Sequence, residues 1–189
     1  MAIIKIAETG FYRIPLTVVL SDSTHGEIKA FELITCRVRD SDGAEGVGYT
    51  YTVGRNGGAV ADILRREVPE LIEGREANDT EAIWQHVWWA LHYGGRGGAP
   101  VLALSALDIA LWDLKARRAD LPLFSLLGGF DARVPCYAGG IDLDLPVEAL
   151  LRQTDENLAK GFRAIEDEGG PPGSGVRRHA GACDAQTSR

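Results

Sequence analysis

An arginine in a glycine-flanked loop is the first candidate for anion recognition in this chain. Arg55 stands in Tyr49–Gly57, YTYTVGRNG, as the one side chain there able to grip a carboxylate through two parallel hydrogen bonds. Gly54, Gly57 and Gly58 would let that loop swing as a lid, or merely make a turn. His25 lies in a second polar loop, Ser21–Gly26, where a histidine either hydrogen-bonds a ligand or is simply solvated. Arg96 sits within Gly94–Gly98, a run without the residue order of a phosphate loop, which reads as a helix–helix connection. His92 and Tyr93, just before it, read as capping or packing groups, and His86 carries no assigned role. Asp108 and Asp113 are five apart, off a common helical face, and read as structural hydrogen-bond acceptors rather than a catalytic pair. Glu166 and Glu168 form a Glu-x-Glu pair with no third ligand in sight, too little for a metal site. Cys36, Cys136 and Cys183 are odd in number and widely spaced, which fits reduced cytosolic thiols better than a disulfide frame or a zinc site.

These residues need elements to hold them. The chain has 189 residues, 45% hydrophobic and 25% charged, an ordinary globular composition. A net charge of −7 argues against nucleic acid or an anionic membrane as partner. No apolar run reaches membrane-spanning length, and MAIIKIAETG lacks the features of a signal peptide. Ile3–Tyr12 reads as a strand broken by Ile14-Pro15, and Leu16–Lys29 as a polar loop. Ala30–Arg39 and Ala44–Thr52 are strands joined by a DSDG turn, with Phe31, Leu33, Thr35 and Arg37 on one side and Glu32, Ile34, Cys36 and Val38 on the other. Helices are predicted over Ala59–Ile72 and over Glu81–Tyr93, the latter capped by Asp79-Thr80 with Trp84, Val87, Trp88 and Leu91 inward. In Val101–Gly129 the residues Leu104, Leu107, Leu111 and Leu114 share one helical face, and Ile109 and Trp112 widen it enough to suggest cover on both sides. Leu121-Pro122 ends that helix, and Leu123–Leu127 is a short apolar turn stopped by Gly128-Gly129. Residues 1–130 therefore read as an α+β domain, a three-stranded antiparallel sheet against a helical bundle. Arg133–Gly139, Val147–Lys160 and Gly161–Ile165 follow as strand, helix and strand, the first βαβ of a parallel sheet, with Leu145-Pro146 opening the helix. From residue 166 to 189 the apolar periodicity is lost and the tail reads as disordered.

The wording of Val101–Gly129, A-x-S-A-x-D-x-A-L-W-D-L-x-A-[KR] and then L-P-L-x-x-L-L-G-G, resembles the mandelate racemase/muconate lactonizing branch of the enolase superfamily. The resemblance runs from about Ile4 to Ile165; Phe11–Val19, Ser21–Gly26, Gly43–Arg55, His92–Gly98 and Tyr137–Leu151 are similar to acid-sugar dehydratases, galactarate/talarate dehydratases above all. It implies a capping domain over 1–130 and the start of a (β/α) barrel over 131–165. It sets both polar loops over the barrel mouth, with His25, Thr52, Arg55 and Arg96 as substrate-binding residues. In such enzymes a lysine of a Lys-x-Lys pair on the second barrel strand removes the proton α to the substrate carboxylate. Mg²⁺ held by later strands stabilises the enediolate, and a general acid expels the β-hydroxyl. The implied function is the N-terminal part of a Mg²⁺-dependent sugar-acid hydro-lyase. It would be cytoplasmic, homo-oligomeric if folded, partnered by a small sugar acid and by neither nucleic acid nor membrane. Racemase or cycloisomerase chemistry and a non-catalytic capping or interaction domain are the alternatives. A barrel needs roughly 250 residues, so this chain is expected to be truncated and inactive alone, with Glu166 and Glu168 where the lysines should stand.

The codon table offers a cause. Glu166–Ser174 can be written GAA GAT GAA GGT GGG CCG CCC GGA TCT. Without the first base the same string reads Lys-Met-Lys-Val-Gly-Arg-Pro-Asp, a barrel strand with lysines at positions 166 and 168 on one side. The segment 166–189 is thus expected to be a frameshifted tail.

Overall fold

The computed structural model describes residues 1–22, 24–140 and 145–166. The chain divides into two compact units: residues 1–15 with 30–129, and residues 16–29 with the described residues from 130 onward.

The first unit is a sheet of order β1-β2-β3 packed on helices. Its strands are β1 (Ile4–Asp22), β2 (Gly26–Asp40) and β3 (Glu45–Thr52), the first two continuing into the second unit. β2 and β3 are antiparallel in a register running from Arg39 opposite Glu45 to Glu32 opposite Thr52. The DSDG turn between them closes on the buried Asp40, whose carboxylate accepts the N–H groups of Asp42 and Ala44, both at 2.9 Å. Arg118, at the end of the long helix, adds an ion pair to Asp40 and one to Asp42 at 3.2 Å, which ties the turn to that helix.

Four helices follow: α1 (Gly57–Ile72), α2 (Thr80–Ala90), α3 (Ala99–Arg118) and the single turn α4 (Leu123–Leu126), with a 3₁₀ turn at His92–Gly94. Leu104, Leu107, Leu111 and Leu114 of α3 are buried as their spacing requires, alongside Ala103, Ala106 and Ala110. The small residues let β3 approach closely. A Cβ added at Gly46 would lie 2.1 Å from the Ala110 carbonyl oxygen, and one at Gly48 would lie 2.0 Å from that of Ala106. Only glycine fits where two backbones touch in this way. The core is completed by Ile4, Ile34, Cys36 and Val38 of the sheet, Val60, Leu64, Val68 and Ile72 of α1, and Ile83 and Val87 of α2.

Three expectations need correction here. Pro15 does not break β1, which continues to Asp22, and Leu16–Lys29 is mostly strand with a short turn at its tip. β1 is an edge strand, the place in a sheet where proline is tolerated. Asp79 is at the N-cap position of α2, but its side chain makes no capping bond; its backbone carbonyl accepts the Ile83 N–H at 2.9 Å. Ile109 is 40% exposed and Trp112 only half-buried, so α3 is covered along the leucine–alanine face and not all round.

In the second unit β4 (Ala138–Gly139) pairs in parallel with β5 (Ile165–Glu166), joined through α5 (Val147–Ala159). Strand, helix and strand come in the order expected, but the ladder spans only two residues on each side rather than all of Arg133–Gly139. Pro146 precedes α5, and Gly161, at φ +97°, follows its end. Glu166 belongs to β5, whereas Glu168 and the rest of the expected tail lie outside the described residues.

Candidate functional site

The loop that carries Arg55 is held at both ends by one carboxylate. β3 delivers Thr52 opposite Glu32 of β2, and the Thr52 hydroxyl donates to Glu32 Oε2 at 2.6 Å. The same oxygen accepts the Gly57 N–H at 3.1 Å, at the first residue of α1. A carboxylate there also suits the positive end of the helix. Asn56, the N-cap residue of α1, is left-handed at φ +69° and makes no side-chain capping bond, so Glu32 supplies from a neighbouring strand what the local sequence does not. A Cβ at Gly57 would sit 2.5 Å from Glu32 Oε2, so the glycine makes room for the latch. Between the two anchors Arg55 is exposed, and among the described residues it makes no hydrogen bond or ion pair. Thr52 is thereby committed to Glu32, while the guanidinium of Arg55 is open to an anion. The alternation of β2 gave Glu32 no role beyond its side of the strand. Counting outward from the DSDG turn, with Arg39 opposite Ala44, brings Glu32 only to Tyr51; the structure pairs Arg39 with Glu45, and that one-residue offset sets Glu32 opposite Thr52.

His25 stands at the β1–β2 tip. Its Nδ1 is 2.7 Å from Asp22 Oδ2, while Asp22 Oδ1 accepts the N–H groups of Thr24 at 2.8 Å and His25 at 2.5 Å. Those bonds, led by the one from the His25 backbone, hold the Asp22 carboxyl below the usual carboxylate range.

Arg96 lies over two indole rings, 5.7 Å from the Trp88 centroid and 5.5 Å from that of Trp89. It lines a small hollow with Leu91, His92, Pro100 and Val101. His92 Nδ1 bonds the Trp89 carbonyl at 2.5 Å, the capping role its position suggested. Asp113 is a structural acceptor: its Oδ2 takes the Val47 N–H of β3 at 2.8 Å and the Arg117 guanidinium at 2.9 Å. Asp108 is raised above the usual carboxylate range by burial and then by the charge of Glu81, and its bond to Trp112 works against both. At the barrel-like end, the Tyr137 hydroxyl donates to Glu166, whose negative charge raises the tyrosine.

Among the described residues no three histidine, cysteine, aspartate or glutamate side chains gather to hold a metal ion. The described residues do not fit a Mg²⁺ site. Among them, too, no helix is long and apolar enough to cross a membrane.

Comparison with known proteins places the fold. Residues 8–128 match the model of the mandelate racemase / muconate lactonizing enzyme, N-terminal domain. A 3,6-anhydro-α-L-galactonate cycloisomerase of Streptomyces coelicolor is 52% identical over 186 residues, covering 94% of this chain and 52% of the relative. The structure of a racemase from Streptomyces coelicolor A3(2) with bound magnesium superposes with a TM-score of 0.85 at 55% identity, over 87% of this chain and 46% of that one. L-talarate/galactarate dehydratase from Salmonella typhimurium LT2, liganded with Mg and L-lyxarohydroxamate, gives 0.82 at 30% identity, over 92% and 46%. The chain spans about half the length of the relatives it matches. From the sheet-and-helix frame that seats Thr52 and Arg55, and from the match over residues 8–128, the chain belongs to the mandelate racemase/muconate lactonizing enzyme family of the enolase superfamily.

Proposed function

We propose that this chain supplies the substrate-capping part of an enzyme that removes the proton α to the carboxylate of a sugar acid. The observation that carries the reading is the Thr52–Gly57 loop, pinned at both ends to Glu32 with Arg55 left open to an anion. A guanidinium so presented suits bidentate pairing with a carboxylate. The grouping of residues 16–29 with those from 130 onward supports a role for His25 beside the barrel-like segment. Arg96, stacked on Trp88 and Trp89, and Thr52, bonded to Glu32, would act in this site by shaping it. The protein would work in the cytosol as a homo-oligomer, with its Mg²⁺ held by residues other than those described.

Two reactions are compatible with that first step. Dehydration is favoured by the likeness to L-talarate/galactarate dehydratase. Cycloisomerization of an anhydro sugar acid is favoured by the 52% identity to the Streptomyces coelicolor enzyme, and we rank it first on that ground. Glu166, at the paired end of β5, occupies the position where the resemblance expects a lysine base. The one-base displacement that restores lysine at 166 and 168 is therefore part of the proposal, with residues 1–130 as capping domain and 131–165 as barrel start.

The test is to sequence the DNA through codon 166 and express both frames. Each product is assayed with Mg²⁺ on 3,6-anhydro-galactonate and on galactarate. The 189-residue chain should be inactive and the restored frame active. In the active product Arg55→Ala should raise KM by roughly tenfold. Turnover by the 189-residue chain, or a shifted frame that closes at once, would sink the frame reading; an unchanged KM would remove Arg55 from the site.

A further inference from the structure

We infer that Asp22 is a positioning residue that fixes His25 in the tautomer protonated on Nδ1, so that Nε2 of the neutral ring accepts a hydrogen bond from a substrate hydroxyl. The inference rests on the proposed role of the Ser21–Gly26 loop in facing a sugar acid.

The geometry leaves one assignment of the proton. Asp22 Oδ1 is occupied by the backbone N–H groups of Thr24 and His25, at 2.8 and 2.5 Å, and both bonds favour the ionised carboxylate. An ionised carboxylate can only accept, so the hydrogen in the 2.7 Å contact between Oδ2 and Nδ1 belongs to the imidazole. A neutral imidazole has a single N–H, and Nε2 is left with a lone pair. The ring and the backbone N–H of His25 are bound to the same carboxylate, which fixes the side chain's direction as well as its proton. The Asp22 side chain is only 17% exposed while that of His25 is 47% exposed, so the anchor lies inward and the ring is open to ligand. Glu27 and Lys29, the next charged groups along the strand, pair with each other at 2.6 Å and leave the dyad alone. Gly26, at φ +65°, turns the chain directly after the histidine, a conformation glycine takes without strain.

The chemical consequence is selectivity. An acceptor nitrogen favours a hydroxyl donor and offers nothing to the lone pairs of a carboxylate. Asp22 would therefore make this loop a reader of the polyol part of a sugar acid.

The test uses the ¹⁵N-labelled 189-residue chain and long-range ¹H–¹⁵N spectra, recorded at a pH of about 8.5 where an ordinary histidine is neutral. His25 should show a protonated Nδ1 and an unprotonated Nε2. Asp22→Asn should shift the ratio toward Nε2–H by roughly two- to fivefold, the scale of an exposed pair. Asp22→Ala should do the same if the asparagine re-forms the turn differently. His92, bonded through Nδ1 to the Trp89 carbonyl, should not respond and serves as the control. A wild-type ring protonated on Nε2, or a ratio unmoved by both variants, would overturn the role of Asp22. In the restored-frame product, which carries the barrel, galactarate should perturb Nε2, and adipate, of equal length without hydroxyls, should not. Equal response to both acids would overturn the hydroxyl assignment. A correctly protonated ring that neither acid perturbs would instead overturn the loop as a substrate contact.

Discussion

Removing the carboxylate of Glu32 should loosen the Arg55 loop more than it harms the core. The oxygen Oε2 takes two donors, the Thr52 hydroxyl at 2.6 Å and the Gly57 N–H at 3.1 Å. Loss of a helix cap costs about 1 kcal/mol, and leaving a half-buried hydroxyl without its acceptor costs about 1 kcal/mol more. Glu32→Ala should therefore destabilise by about 2 kcal/mol, a Tm loss of roughly 4–8 °C for a chain of this size. Glu32→Gln retains a carbonyl oxygen in place and loses only the charge at the α1 N-terminus, for about 0.3–1 kcal/mol. Urea unfolding followed by circular dichroism gives the energies, and hydrogen exchange of peptides covering residues 50–60 gives their location. In the alanine variant exchange should quicken around Gly57 while the Leu104–Leu114 segment of α3 stays protected. If the alanine variant loses less than about 0.5 kcal/mol, or the glutamine variant is equally damaged, Glu32 is not the acceptor latch described.

Gly48→Ala places a methyl group 2.0 Å from the Ala106 carbonyl oxygen and should cost about 3 kcal/mol or more, since backbone on both sides must move. Gly58→Ala, with nothing within 4 Å in the first turn of α1, should stabilise by about 0.5–1 kcal/mol in the same urea assay. Leu107→Ala should lose about 2–5 kcal/mol, and Trp112→Ala clearly less despite its larger ring, because Leu107 is fully buried and Trp112 half-buried. Burial pushes the Cys36 thiol up to about 12, so native-state alkylation mapped by mass spectrometry should label the exposed Cys136 and spare Cys36. Because the folded state holds the Cys36 proton more tightly, that contribution to stability is intact below the ordinary thiol value of 9.0 and declines as pH rises from there toward about 12.

Much of this frame was legible because its signals are local. The leucine spacing of α3, the alternation of β2 and the DSDG turn each depend on neighbours a few residues away, and each holds in the structure. The misreadings share a cause. Pro15 reads as a strand breaker because sequence does not say which strand is at the edge. The polar wording of Ser21–Gly26 suggested a long loop where two strands run almost to the tip. At the candidate site, Arg55 and His25 stood out by residue type, but their partners Glu32 and Asp22 did not. Glu32 acts across 20 and 25 residues of sequence, a distance only strand register bridges. The 78-residue link from Asp40 to Arg118 was hidden for the same reason.

The glycine pair of β3 has a consequence for how this domain avoids misfolding. Gly46 and Gly48 face α3, while Val47 and Tyr49 face outward. A slip of β3 by one residue would drive the valine and tyrosine side chains into the helix backbone, where not even a methyl group fits. The mispaired hairpin therefore cannot dock on α3, and only the correct alignment is rewarded by tertiary contact. The two glycines work as a keyway: they reject the wrong alignment by shape, and in doing so set Thr52, and the loop beyond it, at the right height against Glu32.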